Sequence, residues 1–319
     1  MPLQADGLTF PIHPSVVRTP VRYRNRFGVT IAADLYQGVD LDTDTRHPAI
    51  VIGPPHGGVK EQSPGVYANQ LAQRGFVALA FDPSYNGESS GEPRHVSSPE
   101  VFAEDFSAGV DYLGTLPYVD RARIGVVGIC GSGGFALSAA AVDPRIRAVT
   151  TSALVDISGL SREGFMGSTN QEARTAALAD YAAKRWADVD SGEAALNWTF
   201  PAVYAPDELD PITAEFHEYY VQDQDRGWHP RSIGGFTNTS WPAHIHDGPV
   251  HALGDLGTRP VLLITGEQAH SRWFSDVIHE QASVSELVVV PGARHIDLYD
   301  RTDLIPFDQI SAFFAEALS

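Results

Sequence analysis

Short apolar runs recur along the chain and alternate with longer amphipathic stretches. The runs predicted as strands lie at 29–35, 49–52, 77–81, 124–127, 146–151, 261–265 and 287–290. The stretches with the apolar spacing of helices lie at 66–74, 99–116, 135–142, 271–282 and 308–318. The segment 16–36 has the pattern of a more exposed, antiparallel pair of strands. This alternation predicts an α/β fold with a mostly parallel sheet and helices on both faces.

The alternation is interrupted once, in the second half of the chain. It stops after Asp156 and resumes near Val261. We therefore predict a core formed by residues 1–156 and 259–319, with a helical cap inserted at 157–258. The histidine-rich segment 244–251 has neither a helical nor a strand pattern, and we predict a loop there. A lid over an apolar cavity needs aromatic side chains, and the candidates for contact with substrate are Tyr220, Trp228, Phe236 and Trp241.

Charge and composition narrow the possible partners. The chain has 319 residues, 43% of them hydrophobic, and a net charge of −18. Such a polyanion would be repelled by nucleic acid and by anionic membranes. Neither a signal-peptide pattern at the start nor an apolar run of about twenty residues elsewhere is found, so we expect a cytoplasmic protein that does not span a membrane. The partners we expect are a small-molecule acyl substrate and, at most, a second copy of the chain in a homodimer.

The most informative segment is the glycine-rich turn at 123–134, which joins a buried strand to an Ala-rich helix. Its pattern predicts a nucleophile elbow, in which a strained central residue requires small neighbours two positions before and after it. Cys130 takes the central position, between Gly128 and Ser132. A helix N-terminus favours thiolate over thiol, and we therefore expect Cys130, the single cysteine of the chain, to be a nucleophile.

Two other interpretations of this turn compete with that one. Ser132 also has small residues on both sides and is an alternative nucleophile, although the strand end favours Cys130 as the apex. A phosphate-binding turn is disfavoured because the segment lacks the Lys-Ser/Thr ending of a P-loop.

A nucleophile in this position needs a general base from the loop after the last strand. His295 occupies that loop and is the predicted base. The orienting acid is less well defined, because Ala269 stands where an acid would be expected. Glu267 and Asp156 are the two candidates, with Glu267 preferred.

The oxyanion hole should combine two backbone N–H groups. Gly131, which follows the nucleophile, is predicted to supply one, and Gly58 or Val59 in the glycine-rich loop after the 49–52 strand the other. Covalent chemistry of this kind requires no cofactor and no metal, and we expect neither.

Five segments carry a family resemblance that spans nearly the whole chain. They read GPPHGGVKEQ from Gly53, GFVALAFDPSYNGESSGEPR from Gly75, VVGICGSGG from Val126, GEQAHSRWFSD from Gly266 and PGARHIDLYD from Pro291. The chain thereby resembles the dienelactone-hydrolase-like group of the α/β-hydrolase superfamily, close to bacterial hydrolases and fungal polyketide transferases that use a cysteine elbow. The family pattern has aspartate where this chain has Ala269.

The resemblance implies hydrolysis or transfer of an acyl group from an ester, thioester or lactone. It carries the role of nucleophile to Cys130 and that of base to His295. Water would resolve the covalent intermediate in a hydrolase, whereas an alcohol, amine or thiol would do so in an acyltransferase. A noncatalytic ligand-binding protein of the same fold is the rival from a different class.

Overall fold

One mixed sheet organises the computed structural model, which describes residues 7–197, 199–200, 209–222, 226–250 and 252–319. Within these ranges the sheet has eight strands, in the spatial order β1-β2-β4-β3-β5-β6-β7-β8. The strands are β1 (Val16–Arg24), β2 (Thr30–Gly38), β3 (His47–Gly53), β4 (Val77–Phe81), β5 (Val119–Ile129), β6 (Ile146–Ser152), β7 (Val261–Gly266) and β8 (Ser285–Val290). Strand β2 pairs antiparallel with β1 and β4, and the remaining pairs are parallel. The predicted mostly parallel sheet is confirmed.

Helices connect the strands, and four of the described helices lie in the insertion between β6 and β7. They are α1 (Ser63–Ala72), α2 (Pro99–Leu113), α3 (Ser132–Val142), α4 (Ile157–Glu163), α5 (Gln171–Ser191), α6 (Pro211–His217), α7 (Trp241–Asp247), α8 (Arg272–Gln281), α9 (Asp297–Asp300) and α10 (Phe307–Ala317). No helix in the described ranges is both long and apolar enough to cross a membrane.

The sheet is covered on both faces. Gly109 of α2 packs closely on Val51 of β3, because a Cβ at position 109 would lie 2.7 Å from the Val51 side chain. Gly125 of β5 pairs with Ile50, the residue beside Val51, and a Cβ there would meet Phe314 of α10 at 2.5 Å. Because successive strand residues point to opposite faces, α2 and α10 cover opposite sides of the sheet.

The described parts of the segment 157–258 are largely helical, with α4 to α7 lying between β6 and β7. The expectation of a loop at 244–251 is wrong for its first half, because α7 runs through Trp241–Asp247. Residue 251 lies outside the described residues. Helices α4 and α7 pack on each other, and side chains of this segment, among them Phe216 and Trp241, line a cavity together with Cys130, which follows the carboxyl end of β5.

Candidate active site

Cys130 lies in the tight turn between β5 and α3. Its φ of 53° is in the left-handed region that residues other than glycine seldom adopt. The turn is so close that a Cβ on Gly128 would lie 2.3 Å from the carbonyl oxygen of Ser132. The backbone N–H of Cys130 donates to the carbonyl oxygen of Ser152 on β6, at 2.9 Å. The neighbouring strand thus holds the strained residue in place, and the predicted sharp bend at position 130 is present.

The alternative nucleophile, Ser132, has a different environment. It is the first residue of α3, is buried, and donates its hydroxyl hydrogen bond to the carbonyl oxygen of Pro54. Its oxygen is therefore engaged with the backbone of the β3 loop.

A cavity of about 400 Å³ lies between the sheet edge and the insertion, and Cys130 lines it. The cysteine is 6% exposed. Most of the lining is apolar, contributed by Val155, Ile157, Leu160, Phe165, Phe200, Ile212, Phe216 and Phe274. This composition suits an apolar ligand rather than a charged one.

Two of the four aromatic residues predicted to contact substrate line this cavity, Tyr220 and Trp241. The other two do not. Phe236 stacks on the ring of His56 with 4.0 Å between centroids and packs behind the cavity wall. Trp228 is half-buried and is not among the described lining residues. The aromatic content of the cap could be read from the sequence, but which rings face inward depends on packing.

Two backbone N–H groups point towards the Cys130 sulfur, those of Gly131 and His56. Gly131 is the donor that the sequence predicted. A Cβ on Gly131 would lie 2.7 Å from the His56 side chain, so glycine allows the two loops to approach each other. The pair can donate hydrogen bonds to an acyl oxygen that gains negative charge during attack.

The prediction of Gly58 or Val59 as the second donor is wrong, because both N–H groups are already used. Gly58 donates to the carbonyl oxygen of Pro55 at 2.8 Å, and Val59 donates to Oε1 of Gln62 at 2.9 Å. The local turn after β3 consumes these donors, and His56, earlier in the same loop, supplies the N–H instead.

Hydrogen bonds through two histidines anchor the His56 loop to the insertion. Nε2 of His56 lies 2.8 Å from Oγ of Ser97, which lies 2.7 Å from Nε2 of His244 on α7. Nδ1 of His244 lies 3.0 Å from Oγ of Ser158 on α4. Burial lowers the pKa of His56 well below its ordinary value, with a contribution from His244, and lowers that of His244 to about 4. Both rings are therefore neutral at neutral pH.

His295 is fully buried, and both of its ring nitrogens have partners. Nδ1 lies 2.7 Å from Oγ of Ser271, and Nε2 lies 3.0 Å from the hydroxyl of Tyr299. Neither nitrogen is hydrogen-bonded to the Cys130 sulfur among the contacts of the described residues. Burial, together with the neighbouring ring of His270, lowers the pKa of His295 well below 6.5.

Tyr299 fills the position between the predicted base and the predicted nucleophile. Its hydroxyl is bonded to His295, lies beside the Cys130 thiol and reaches the cavity wall. Burial raises the pKa of Tyr299 well above its ordinary value, and Cys130 adds to the effect. Tyr299 was not among the residues predicted from the sequence, because the single helical turn that carries it leaves too little periodicity to detect.

Neither predicted orienting acid reaches His295. Glu267 is exposed and accepts the N–H of Gly292 at 2.8 Å. Asp156 caps α4, accepting the N–H of Gly159 at 2.9 Å and that of Val250 at 2.8 Å. Both assignments are therefore corrected: one carboxylate holds a turn, the other holds the cap.

A different carboxylate, that of Glu215 in the insertion, lies near His295 and is separated from it by the ring of His270. Oε2 of Glu215 on α6 lies 3.7 Å from Nδ1 of His270, whose ring stacks on His295 with 4.5 Å between centroids. Oε1 of Glu215 accepts the N–H of Ile296 at 2.8 Å. Glu215 thus sits one ring away from His295 and bonds to the loop that carries it.

The resting protonation state differs from the one expected from the helix N-terminus. Burial raises the pKa of the Cys130 thiol, and the Tyr299 hydroxyl with the Gly131 and His56 N–H groups only partly offsets this. Because the pKa of His295 moves in the opposite direction, the resting site holds a neutral thiol and a neutral imidazole.

One group of carboxylates has the spacing of a cation site. The oxygens of Glu61, Asp82 and Glu88 lie within 4.8 Å of one another. Nζ of Lys60 lies 3.3 Å from Asp82 and 3.0 Å from Glu88, and it also contacts Glu61. The ammonium supplies positive charge to these groups and fixes the end of the His56 loop.

Comparison with known proteins identifies the family. The model of the dienelactone hydrolase family matches residues 37–152. Uncharacterized protein PA2218 of Pseudomonas aeruginosa is 47% identical, over 97% of this chain and 83% of its own. The crystal structure of PA2218 has a TM-score of 0.94 at 45% identity and covers 100% of both chains.

Two fungal proteins are more distant. Alpha/beta hydrolase GrgF from Penicillium sp. sh18 is similar in structure, with a TM-score of 0.74 at 20% identity over 95% of this chain and 99% of its own. A protein named thiohydrolase from Eupenicillium brefeldianum is 33% identical over 41% of each chain. The chain therefore belongs to the dienelactone hydrolase family of α/β-hydrolase-fold enzymes.

Proposed function

We propose that this protein hydrolyses an ester, thioester or lactone through an acyl-enzyme on Cys130, with His295 as general base. One observation carries the proposal: a sulfur held at a positive-φ turn opens onto an apolar cavity with two N–H donors beside it. An inert core cysteine needs neither a strained backbone nor access to a cavity.

The chemistry follows from the positions of these groups. As the thiol proton leaves towards His295, the sulfur attacks the acyl carbonyl carbon, and the carbonyl oxygen gains negative charge beside the N–H groups of Gly131 and His56. The C–O or C–S bond to the leaving group then breaks and leaves a thioester on Cys130. Water completes the cycle by attacking that thioester, with His295 again accepting a proton.

The lining of the cavity supports a proposal for the substrate class. None of the described lining residues is lysine or arginine, and aliphatic and aromatic side chains predominate. An uncharged, apolar acyl group therefore fits better than a carboxylate-bearing one. A thioester is one reasonable acyl donor, because a partial relative carries the name thiohydrolase.

Acyl transfer is the second candidate, and the apolar lining beneath the insertion favours it. A cavity that holds little water would allow a bound alcohol, amine or thiol to take the acyl group instead. Product analysis with and without such acceptors separates the two outcomes. A noncatalytic binding protein, by contrast, would retain an intact ester in either assay.

The proposal can be tested by trapping the acyl-enzyme. The protein is mixed with a p-nitrophenyl ester of an apolar acid, and its intact mass is measured after rapid acid quench. Because Cys130 is the single cysteine of the chain, a mass increase of one acyl group that neutral hydroxylamine removes identifies its thioester.

Two variants make this test specific. Cys130→Ala should lose both the adduct and turnover, whereas Ser132→Ala should retain both, since Ser132 bonds to the backbone of Pro54. An adduct of equal yield on Cys130→Ala, or its loss in Ser132→Ala alone, would refute the assignment of Cys130.

A further inference from the structure

His295 cannot act directly on the groups that react. It is fully buried, and it is not among the described residues that line the cavity. Its Nδ1 is bonded to Ser271 and its Nε2 to Tyr299. A proton that leaves the Cys130 thiol, or one that must reach a leaving group, therefore has to pass through another side chain.

Tyr299 has the contacts that such a passage needs. Its hydroxyl lies 3.0 Å from Nε2 of His295 and beside the sulfur of Cys130, and the residue is one of those that line the cavity. His295 lies in the turn just before the short helix α9 and Tyr299 lies within that helix, and this turn brings the two side chains into hydrogen-bond contact.

This turn is braced from several sides. The carbonyl oxygen of Leu298, next to Tyr299, accepts a hydrogen bond from the Tyr67 hydroxyl at 2.8 Å. The Arg226 guanidinium bonds to both carboxylates at the ends of α9, 3.2 Å from Asp297 and 2.9 Å from Asp300. The hydroxyl of Tyr299 is therefore held in position by the fold rather than by a mobile loop.

We propose that Tyr299 is a catalytic residue that relays protons between Cys130 and His295, an inference that rests on the function proposed above. In acylation the S–H bond of Cys130 breaks as a new O–H bond forms on Tyr299. The original O–H proton of Tyr299 passes to Nε2 of His295, and the sulfur electron pair attacks the acyl carbon. The net result is an imidazolium, an unchanged tyrosine and a tetrahedral oxyanion.

The same path runs backwards when the leaving group departs. Nε2 of His295 returns its proton to the Tyr299 oxygen, and the Tyr299 hydroxyl donates its own to the alcohol or thiol. In deacylation the attacking water gives a proton to Tyr299 by the same exchange. Tyr299 remains a phenol throughout, which fits its strong preference for the protonated form in this buried site.

The relay can be tested with a matched pair of hydroxyl deletions. Tyr299→Phe removes the proposed relay, whereas Tyr23→Phe removes another buried tyrosine hydroxyl, on the edge strand β1, where the ring stacks on Tyr112. Acylation is followed in single turnovers, with enzyme in excess over an alkyl thioester whose leaving group needs a proton. The rates are measured in mixtures of H₂O and D₂O. If two protons are transferred in the rate-limiting step, the plot of rate against deuterium fraction is curved, whereas transfer of one proton gives a straight line.

We expect Tyr299→Phe to slow acylation by about 10²- to 10⁴-fold, the range usual for loss of a general acid or base. Tyr23→Phe should stay within about threefold of wild type, because its hydroxyl lies on the edge strand β1 and contacts none of the described residues that line the cavity. The wild type and Tyr23→Phe should give a curved plot, and Tyr299→Phe a straight one.

The relay would be overturned if Tyr299→Phe acylated within about threefold of the wild-type rate. A straight plot for the wild type would also overturn it, and that measurement does not depend on whether any variant folds. Failure of the underlying function is a separate result: in that case Cys130→Ala turns over as fast as wild type, whatever the behaviour of Tyr299→Phe.

Discussion

The buried ring of His244 should make the protein sensitive to mild acid. It is fully buried between Ser97 and Ser158 and remains neutral, with a pKa lowered from 6.5 to about 4 by burial. Because the unfolded chain binds this proton more readily than the folded one, stability is complete above the unfolded-state pKa. It is lost as the pH falls from about 6.5 towards 4.

The size of the effect follows from these two pKa values. With an unfolded-state pKa of about 6.5 and a folded-state pKa of about 4, linkage gives a loss of ~1.4 kcal/mol at about pH 5.5 and ~2.5 kcal/mol at about pH 4.5. His56 and His295 should add further losses of the same sign. A comparison of variants is therefore needed to isolate His244.

The assay is urea unfolding followed by tryptophan fluorescence, at about pH 8 and about pH 5.5. His244→Gln keeps a polar side chain but cannot titrate, and its loss of stability between the two pH values should be smaller than that of wild type by ~1.4 kcal/mol. His246→Gln, on the exposed side of the same helix, should behave as wild type does. An equal pH dependence in wild type and His244→Gln would refute the reasoning.

Three other predictions concern the site itself. For p-nitrophenyl esters of linear acids, kcat/KM should rise about fourfold per added methylene until the cavity is full, because each buried methylene contributes about 0.8 kcal/mol. A value of kcat/KM that does not change with chain length would contradict an apolar acyl site. The acid limb of kcat/KM should lie well below pH 6.5, because His295 must be neutral to accept a proton and its pKa is lowered; a midpoint at or above 6.5 would contradict the buried base. Glu267→Gln should leave kcat unchanged, and Asp156→Ala should cost about 1 kcal/mol in urea unfolding through loss of the α4 cap, without changing the acid limb.

The sequence predicted those parts of the molecule that local pattern determines. Buried parallel strands are continuous apolar runs, and β3, β4 and β7 follow theirs closely. The elbow at Cys130 could be predicted because the close contact behind Gly128 admits no side chain. In both cases the type of residue depends on the local structure around it, and so that structure can be predicted from the residue.

What the sequence did not predict depends on which partner each group finds in three dimensions. Gly58 and Val59 lie in the glycine-rich loop after β3, as predicted, but their N–H groups donate to Pro55 and Gln62 instead. One short turn of helix, α9, gives too little periodicity to be detected, and so the place of Tyr299 beside the sulfur was missed. The two candidate acids failed for the same reason, since each carboxylate found nearer N–H donors.

At Cys130, desolvation favours the neutral thiol more strongly than the helix N-terminus favours the thiolate. This changes the order in which charge can develop in the site. Cys130 is only 6% exposed and lines the apolar cavity, and His295 is fully buried. Burial raises the pKa of the acid and lowers that of the base, so a resting ion pair is disfavoured on both counts. Charge can then be separated only when a bound acyl group offers its oxygen to the N–H groups of Gly131 and His56. For the same reason, iodoacetamide, which offers no such oxygen in the right place, should label Cys130 slowly at neutral pH even in an enzyme that acylates rapidly.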